Sequence, residues 1–243
     1  MSKPLSFVLL AFIGFQIAHL SLDLYANGQS QNAPEGYVEL NIEGWNVTVE
    51  NSLADKSNSS GAHAIEALRN HLQRVKYIVP TKRLKDLQQI KIWVDENYEG
   101  LRGMQYHPSK GWLENNGHNP ALAQHVHIPQ ASALTARHMW AKHPYVVLHE
   151  LSHGFHDQVL GFDHPDVART YRNAKKSGKY DEVLDHRGKT VKHYGMNNPQ
   201  EYFAESTEAY FGVNDFYPFV RAELKEHDPM MYSLLEKIWG KVE

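Results

Sequence analysis

The stretch YVVLHELSHGFHDQVLG, residues 145–161, decides how this chain is read. Pro144 stands just before it and Gly161 ends it, the punctuation of a helix with proline at its start and glycine at its stop. Val146, Val147, Leu148, Leu151 and Phe155 are apolar around the helix, which predicts burial rather than a surface position. Within it His149-Glu150-Leu151-Ser152-His153 fits H-E-x-x-H. Helical positions i and i+4 lie one above the other on the same face, so both imidazoles can reach one ion. Glu150 stands beside the first histidine, where a carboxylate takes a proton from a metal-activated water instead of binding the metal.

Two histidines and a water leave a tetrahedral zinc short of one protein ligand. A histidine placed six residues after His153 would complete the metzincin arrangement, but that position is Val159. His156, three residues after His153, drifts off the ligand face. The remaining source is a carboxylate on a later helix. The segment PQEYFAESTEAYFG after Asn198 carries Glu201, Glu205 and Glu208 at i, i+4 and i+7, on one face. Carboxylates buried on a helix face are costly unless a metal or a hydrogen-bond donor receives them. Glu201 has a second reading, because Asn198 three residues earlier makes a capping box with it. The residues alone leave Glu201 open between ligand and cap. Asp157, four residues after His153, is a weaker candidate for contact with a ligand and reads equally as a solvated helix acid.

HELSH, followed some forty residues later by Tyr194 and then EYFAE (201–205), resembles the catalytic domain of the anthrax lethal factor family. That family includes secreted Pro-Pro endopeptidases and belongs to the gluzincins. The resemblance runs over roughly residues 145–211. It implies a zincin-like catalytic domain holding one zinc ion per chain through His149, His153 and Glu201, with Glu150 as general base. It also makes Tyr194, seven residues before Glu201, a hydroxyl that assists the transition state. Glu205 matches the second acidic position and would orient a ligand imidazole. The segment His125-Val126-His127 would be the strand beside the cleft that pairs with substrate backbone. The activity implied is hydrolysis of peptide bonds. The alternative from another class is a catalytically silent extracytoplasmic binding domain stabilised by its metal, although a purely structural site needs neither Glu150 nor Tyr194.

Outward from these helices the pattern is α+β in a single domain. YVELNIE and WNVTVE alternate as two short strands broken at Glu43-Gly44. Residues 51–61 read as a loop. Ala64, Ile65, Leu68, Leu72 and Val75 are spaced for an amphipathic helix over 62–75, and Thr81 to Leu87 for a second, short one. Ile90, Ile92 and Val94 alternate along a strand; Gly and Pro make 97–119 irregular, where Arg102, Tyr106, His107 and Trp112 could line a pocket, although a packed loop is the better reading. A strand near 126–128, a helix over 165–176, a hairpin around Arg187-Gly188 and closing helices after Pro218 and Pro229 complete the order. His125 and His127 share one face of their strand, a pair more consistent with structural or lining histidines than with a second ion.

The 243 residues, 42% hydrophobic and 22% charged, suit one large domain with a core of its own. A formal charge of −3 without a Lys/Arg stripe gives no basis for a nucleic-acid partner. Sixteen histidines favour metal binding, and the absence of cysteine excludes thiolate sites and disulfides. Lys3 followed by LSFVLLAFIGFQIA reads as a secretory leader over residues 1–26, with a polar linker over 27–36 and the metallopeptidase domain over 37–243. The rival for the leader is an uncleaved membrane anchor. The chain is thus expected to be a secreted or otherwise extracytoplasmic monomer that acts on a peptide or protein.

Overall fold

The computed structural model describes residues 33–242, so the expected leader and most of the linker lie outside the described residues. Strands β1 (Tyr37–Ile42) and β2 (Trp45–Glu50) form a hairpin with Ile42 opposite Trp45. The two-residue turn needs positive φ at both positions, 55° at Glu43 and 100° at Gly44, which suits the right-handed twist of the flanking strands. A short α1 (Asn51–Ala54) precedes α2 (Ser59–Ile78), α3 (Thr81–Leu87), β3 (Lys91–Val94), β4 (Gln105–Tyr106), α4 (Lys110–Asn115) and β5 (His125–Ile128). Helices dominate thereafter: α5 (Arg137–Lys142), α6 (Val146–Phe155) and α7 (Pro165–Ser177) come before the small hairpin β6 (Val183–Leu184) and β7 (Thr190–Val191). Then come α8 (Pro199–Phe211), α9 (Arg221–His227) and α10 (Pro229–Trp239). Strands come mainly first and helices last, an α+β fold.

The five-stranded sheet has the order β1-β2-β3-β5-β4, with β2, β3 and β5 parallel and the outer strands antiparallel to their neighbours. Its register aligns Val47, Ile92 and Val126 in one row and Val49, Val94 and Ile128 in another, all at most 2% exposed. These rows belong to the main core, which also takes in α2, α6, α8 and α10. Trp93 belongs to a second small cluster with Leu113 and Leu122. The sheet is therefore covered by the helical body and by the 97–123 segment together.

Two expectations are corrected. Residues 51–61 hold α1 and the start of α2, where Asn58 Oδ1 accepts from Gly61 N at 2.9 Å. The segment 97–119 holds β4 and α4; α4 is fixed by Ser109 Oγ, which accepts from Trp112 N, and by the buried Leu113. A two-residue strand and a six-residue helix are too short to show a period. The helix after Pro144 also differs in detail. Regular α-turns begin at Val146 and give way to wider π-turns over His156–Leu160, before Gly161 at φ 81°.

Candidate metal centre

All ten residues of α6 are buried. Its close approach to the sheet is made possible by Gly154, where a Cβ would stand 2.7 Å from Ile90 Cγ2 and 3.2 Å from the Tyr106 ring. α8 packs against α6 from the other side, with Phe203 stacked on Phe155 and Trp239 closing over both rings. Aromatic packing thus holds the two helices together beside their polar contacts. Asn198 caps α8 by accepting from Glu201 N at 2.8 Å, and Pro199 occupies the first turn.

The polar groups meet in a cleft of about 390 Å³, whose lining includes His149, Glu150, His153, Tyr194 and Glu201. His149 Nε2 and His153 Nε2 are 3.1 Å apart, and Glu201 Oε2 lies 3.2 Å from the first and 3.3 Å from the second. Ligands about 2.0–2.2 Å from a tetrahedral zinc stand roughly 3.3–3.6 Å from one another, so this triangle is only slightly smaller than such an ion demands. Two imidazoles and a carboxylate are also the right donor set for zinc. The outer nitrogen of His149 fits as well. Nδ1 is 2.6 Å from Glu208 Oε1; since an ionised carboxylate can only accept, Nδ1 carries hydrogen and Nε2 can turn a lone pair to the centre. A second triple, His143, His149 and Glu208, has spacings of 2.6 and 2.9 Å, which are hydrogen-bond distances and too short for neighbouring ligands on an ion.

The charges of these side chains follow the same contacts. Burial opposes charge on His149, but hydrogen bonds with Glu201 and Glu208 outweigh it and hold the imidazole well above its usual pKa. Burial likewise works against ionisation of Glu201, and the His149 and His153 hydrogen bonds overcome it, leaving the carboxyl far below its usual range. Burial also disfavours an ionised Glu208, yet the His143 charge and hydrogen bond, aided by His149, bring it down to about 2. Glu205 moves the other way, pushed up to about 8 by burial and the Glu208 charge.

Glu150 is 7% exposed, and its Oε2 accepts from Tyr106 N at 2.9 Å. Burial raises its pKa against the lowering influence of His149 and His153. Tyr194 opens a tight turn over Tyr194–Met196, fixed where His193 Nδ1 accepts from Gly195 N, and its ring is 46% exposed in the cleft. Burial and then the Glu201 charge raise the Tyr194 hydroxyl pKa, so at neutral pH it is a donor.

Three expectations about neighbouring residues change. Glu205 was expected to orient an imidazole, but it stands 3.8 Å from His149 Nδ1 and the contact belongs to Glu208, one turn further along α8. Asp157 points to Tyr106, whose hydroxyl donates to it at 2.7 Å, and not to a ligand. The segment His125–His127 is not the cleft edge, because β5 lies between β3 and β4; the edge is β4, and residues 103–106 line the cleft. His127 is fully buried, with Asp95 2.7 Å from one ring nitrogen and His107 3.1 Å from the other. Sequence reasoning also missed His143, and it preferred a packed loop to a pocket lining for Tyr106, which lines the cleft. Tyr106 sat in a stretch without a period, and His143 lies just outside the helix that carries the motif.

Residues 110–238, more than half of the chain, match the family model described as anthrax toxin lethal factor, N- and C-terminal domain. The chain belongs to that family. The lethal factor match begins at α4, so it spans every residue of the metal triangle together with Glu150, Tyr194, Glu205 and Glu208, while β1 to β4 precede it. No curated protein and no solved structure matches the chain.

Proposed function

We propose that the chain is a zinc-dependent endopeptidase of gluzincin type that works outside the cytoplasm on a peptide or protein. The observation that carries this reading is the triangle of His149 Nε2, His153 Nε2 and Glu201 Oε2 opening into the same cleft as Glu150 and Tyr194. Zinc held by those three atoms would polarise a carbonyl and bring the pKa of a water to about 7. The chain's own residues supply the rest. The Tyr106 amide holds one oxygen of Glu150, which leaves the other to take the proton of the attacking water and return it to the departing amine. The Tyr194 hydroxyl, free to turn at the cleft wall, donates to the oxyanion as it forms. The leader-like opening of the sequence supports an extracytoplasmic site of action.

A quenched peptide library incubated with the zinc-loaded chain, with and without a chelator, tests the activity. Cleavage that the chelator abolishes and zinc restores is expected. Glu150→Gln should retain stoichiometric zinc while turnover falls by roughly two to four orders of magnitude. Zinc bound without cleavage of any library member would favour the binding-domain alternative.

A further inference from the structure

We propose that His143 is a positioning residue of the metal centre, acting through Glu208 to hold His149 in the tautomer and orientation that bind metal. The inference rests on the reading of His149, His153 and Glu201 as a metal site. Glu208 Oε1 is shared: His149 Nδ1 reaches it at 2.6 Å and His143 Nε2 at 2.9 Å. The carboxyl is fully buried, and its other oxygen meets no donor among the described residues. The two imidazoles therefore supply all the hydrogen bonds shown to this buried anion, one from each side. Removing the His143 donor leaves Glu208 with a single contact. Burial then disfavours its charge, and nothing fixes its rotation toward His149 Nδ1.

The surroundings keep His143 in place. It ends α5 at a φ of −137°, where its own amide bonds Met139 O. The next two residues are pinned from separate elements. Arg74 of α2 donates to Pro144 O at 2.8 Å, and the Tyr145 ring fills the space that a side chain on Gly212, at the end of α8, would need. The Arg74 guanidinium also lies 4.9 Å from the centre of the Tyr145 ring. His143 and His149 rings meet edge to face at 5.4 Å. An N-terminal helix is thereby coupled to a ligand's orientation through one short turn, although neither Arg74 nor His143 lies in the metal-binding motif.

The test compares full-length variants by competition of zinc against a chromophoric chelator, with the absorption spectrum of the cobalt-substituted chain as a second readout. His143→Phe keeps a ring of similar shape without a donor; we expect zinc affinity to fall roughly 10- to 100-fold and the cobalt bands to shift. His143→Gln, whose amide nitrogen can reach the same oxygen, should recover affinity to within about threefold of the parent. In a Glu208→Gln background, His143→Phe should add little, because the two act in series. Unchanged affinity in His143→Phe, equal loss in the glutamine variant, or fully additive losses would overturn the proposal. Should the phenylalanine variant not fold, His143→Asn, with too short an amide to reach Glu208, takes its place against His143→Gln. A parent chain that binds zinc tightly but cleaves no peptide removes the peptidase reading and leaves this test intact; a parent that binds none removes both.

Discussion

Glu201 performs two tasks with separate atoms. Its amide is the donor that Asn198 caps, while its carboxylate turns to the imidazoles of α6. The cap and the ligand readings, rivals on spacing alone, are therefore compatible, and the cap fixes the turn from which the carboxylate projects. Tyr194 is held differently, by a single 3-10 turn and not by an α-helix, with its side chain on the cleft wall. A donor that acts on charge developing in the transition state should leave ground-state binding almost untouched. Tyr194→Phe is thus expected to lower kcat by about 10- to 1000-fold with zinc affinity and KM nearly unchanged, as read from steady-state kinetics on a cleaved peptide. A larger effect on KM than on kcat would remove it from this role. His149 and His153 were legible as neighbours because i and i+4 spacing converts directly into a shared helix face, and Glu150 because it follows the first of them in the motif. Glu208 as the imidazole's partner was not, since a choice between i+4 and i+7 on α8 depends on how the two helices cross. His143 and Tyr106 were illegible for a related reason: each reaches the site by a tertiary contact that no local period encodes.

At the level of elements, α6 is the piece on which geometry is tightest. Gly154 lets its backbone come against Ile90 and Tyr106, and Tyr106 in turn holds Glu150 by its amide. Gly154→Ala would add a carbon 2.7 Å from the branched side chain of Ile90, just before β3, which cannot swing away as the tip of a long chain could. The variant should lose about 1–3 kcal/mol of stability by chemical denaturation even though alanine is the better helix former. A gain in stability would show that the helix has room to shift. Long elements were legible where a start signal was read, as at Pro165 for α7 and Asn198-Pro199 for α8; α2 was legible by its apolar period, while its cap at Asn58 was read as part of a loop. The edge strand β4 was not: its two residues become a strand only by pairing, Gln105 with His127 and Tyr106 with Val126. Assigning the cleft edge to β5 followed from that omission.

Across the whole molecule, several histidines are folded into surroundings that refuse a proton. Burial is the first cause in each case, lowering His71 to about 4 and His156 and His193 to about 3. His71 stacks on Trp140 at 4.1 Å, close to Arg74 and His143, whose charges lower it further. In the unfolded chain a histidine takes up its proton below about 6.5, whereas folded His71 waits until about pH 4. Between those values the unfolded state binds the extra proton, so stability falls as pH drops through the window. His143 and His149 work against this trend, both raised despite burial by Glu208 and, for His149, also by Glu201. A single substitution separates the contributions. His71→Phe keeps an aromatic ring against Trp140 and cannot titrate. Between pH 7 and pH 5 the parent should lose about 2 kcal/mol more than this variant, from one group over about 1.5 pH units at roughly 1.4 kcal/mol each. Denaturant titrations at the two pH values measure the difference. If the two proteins lose stability in parallel, folded His71 gains its proton near the ordinary pKa and the packing of α2 against α5 does not exclude it.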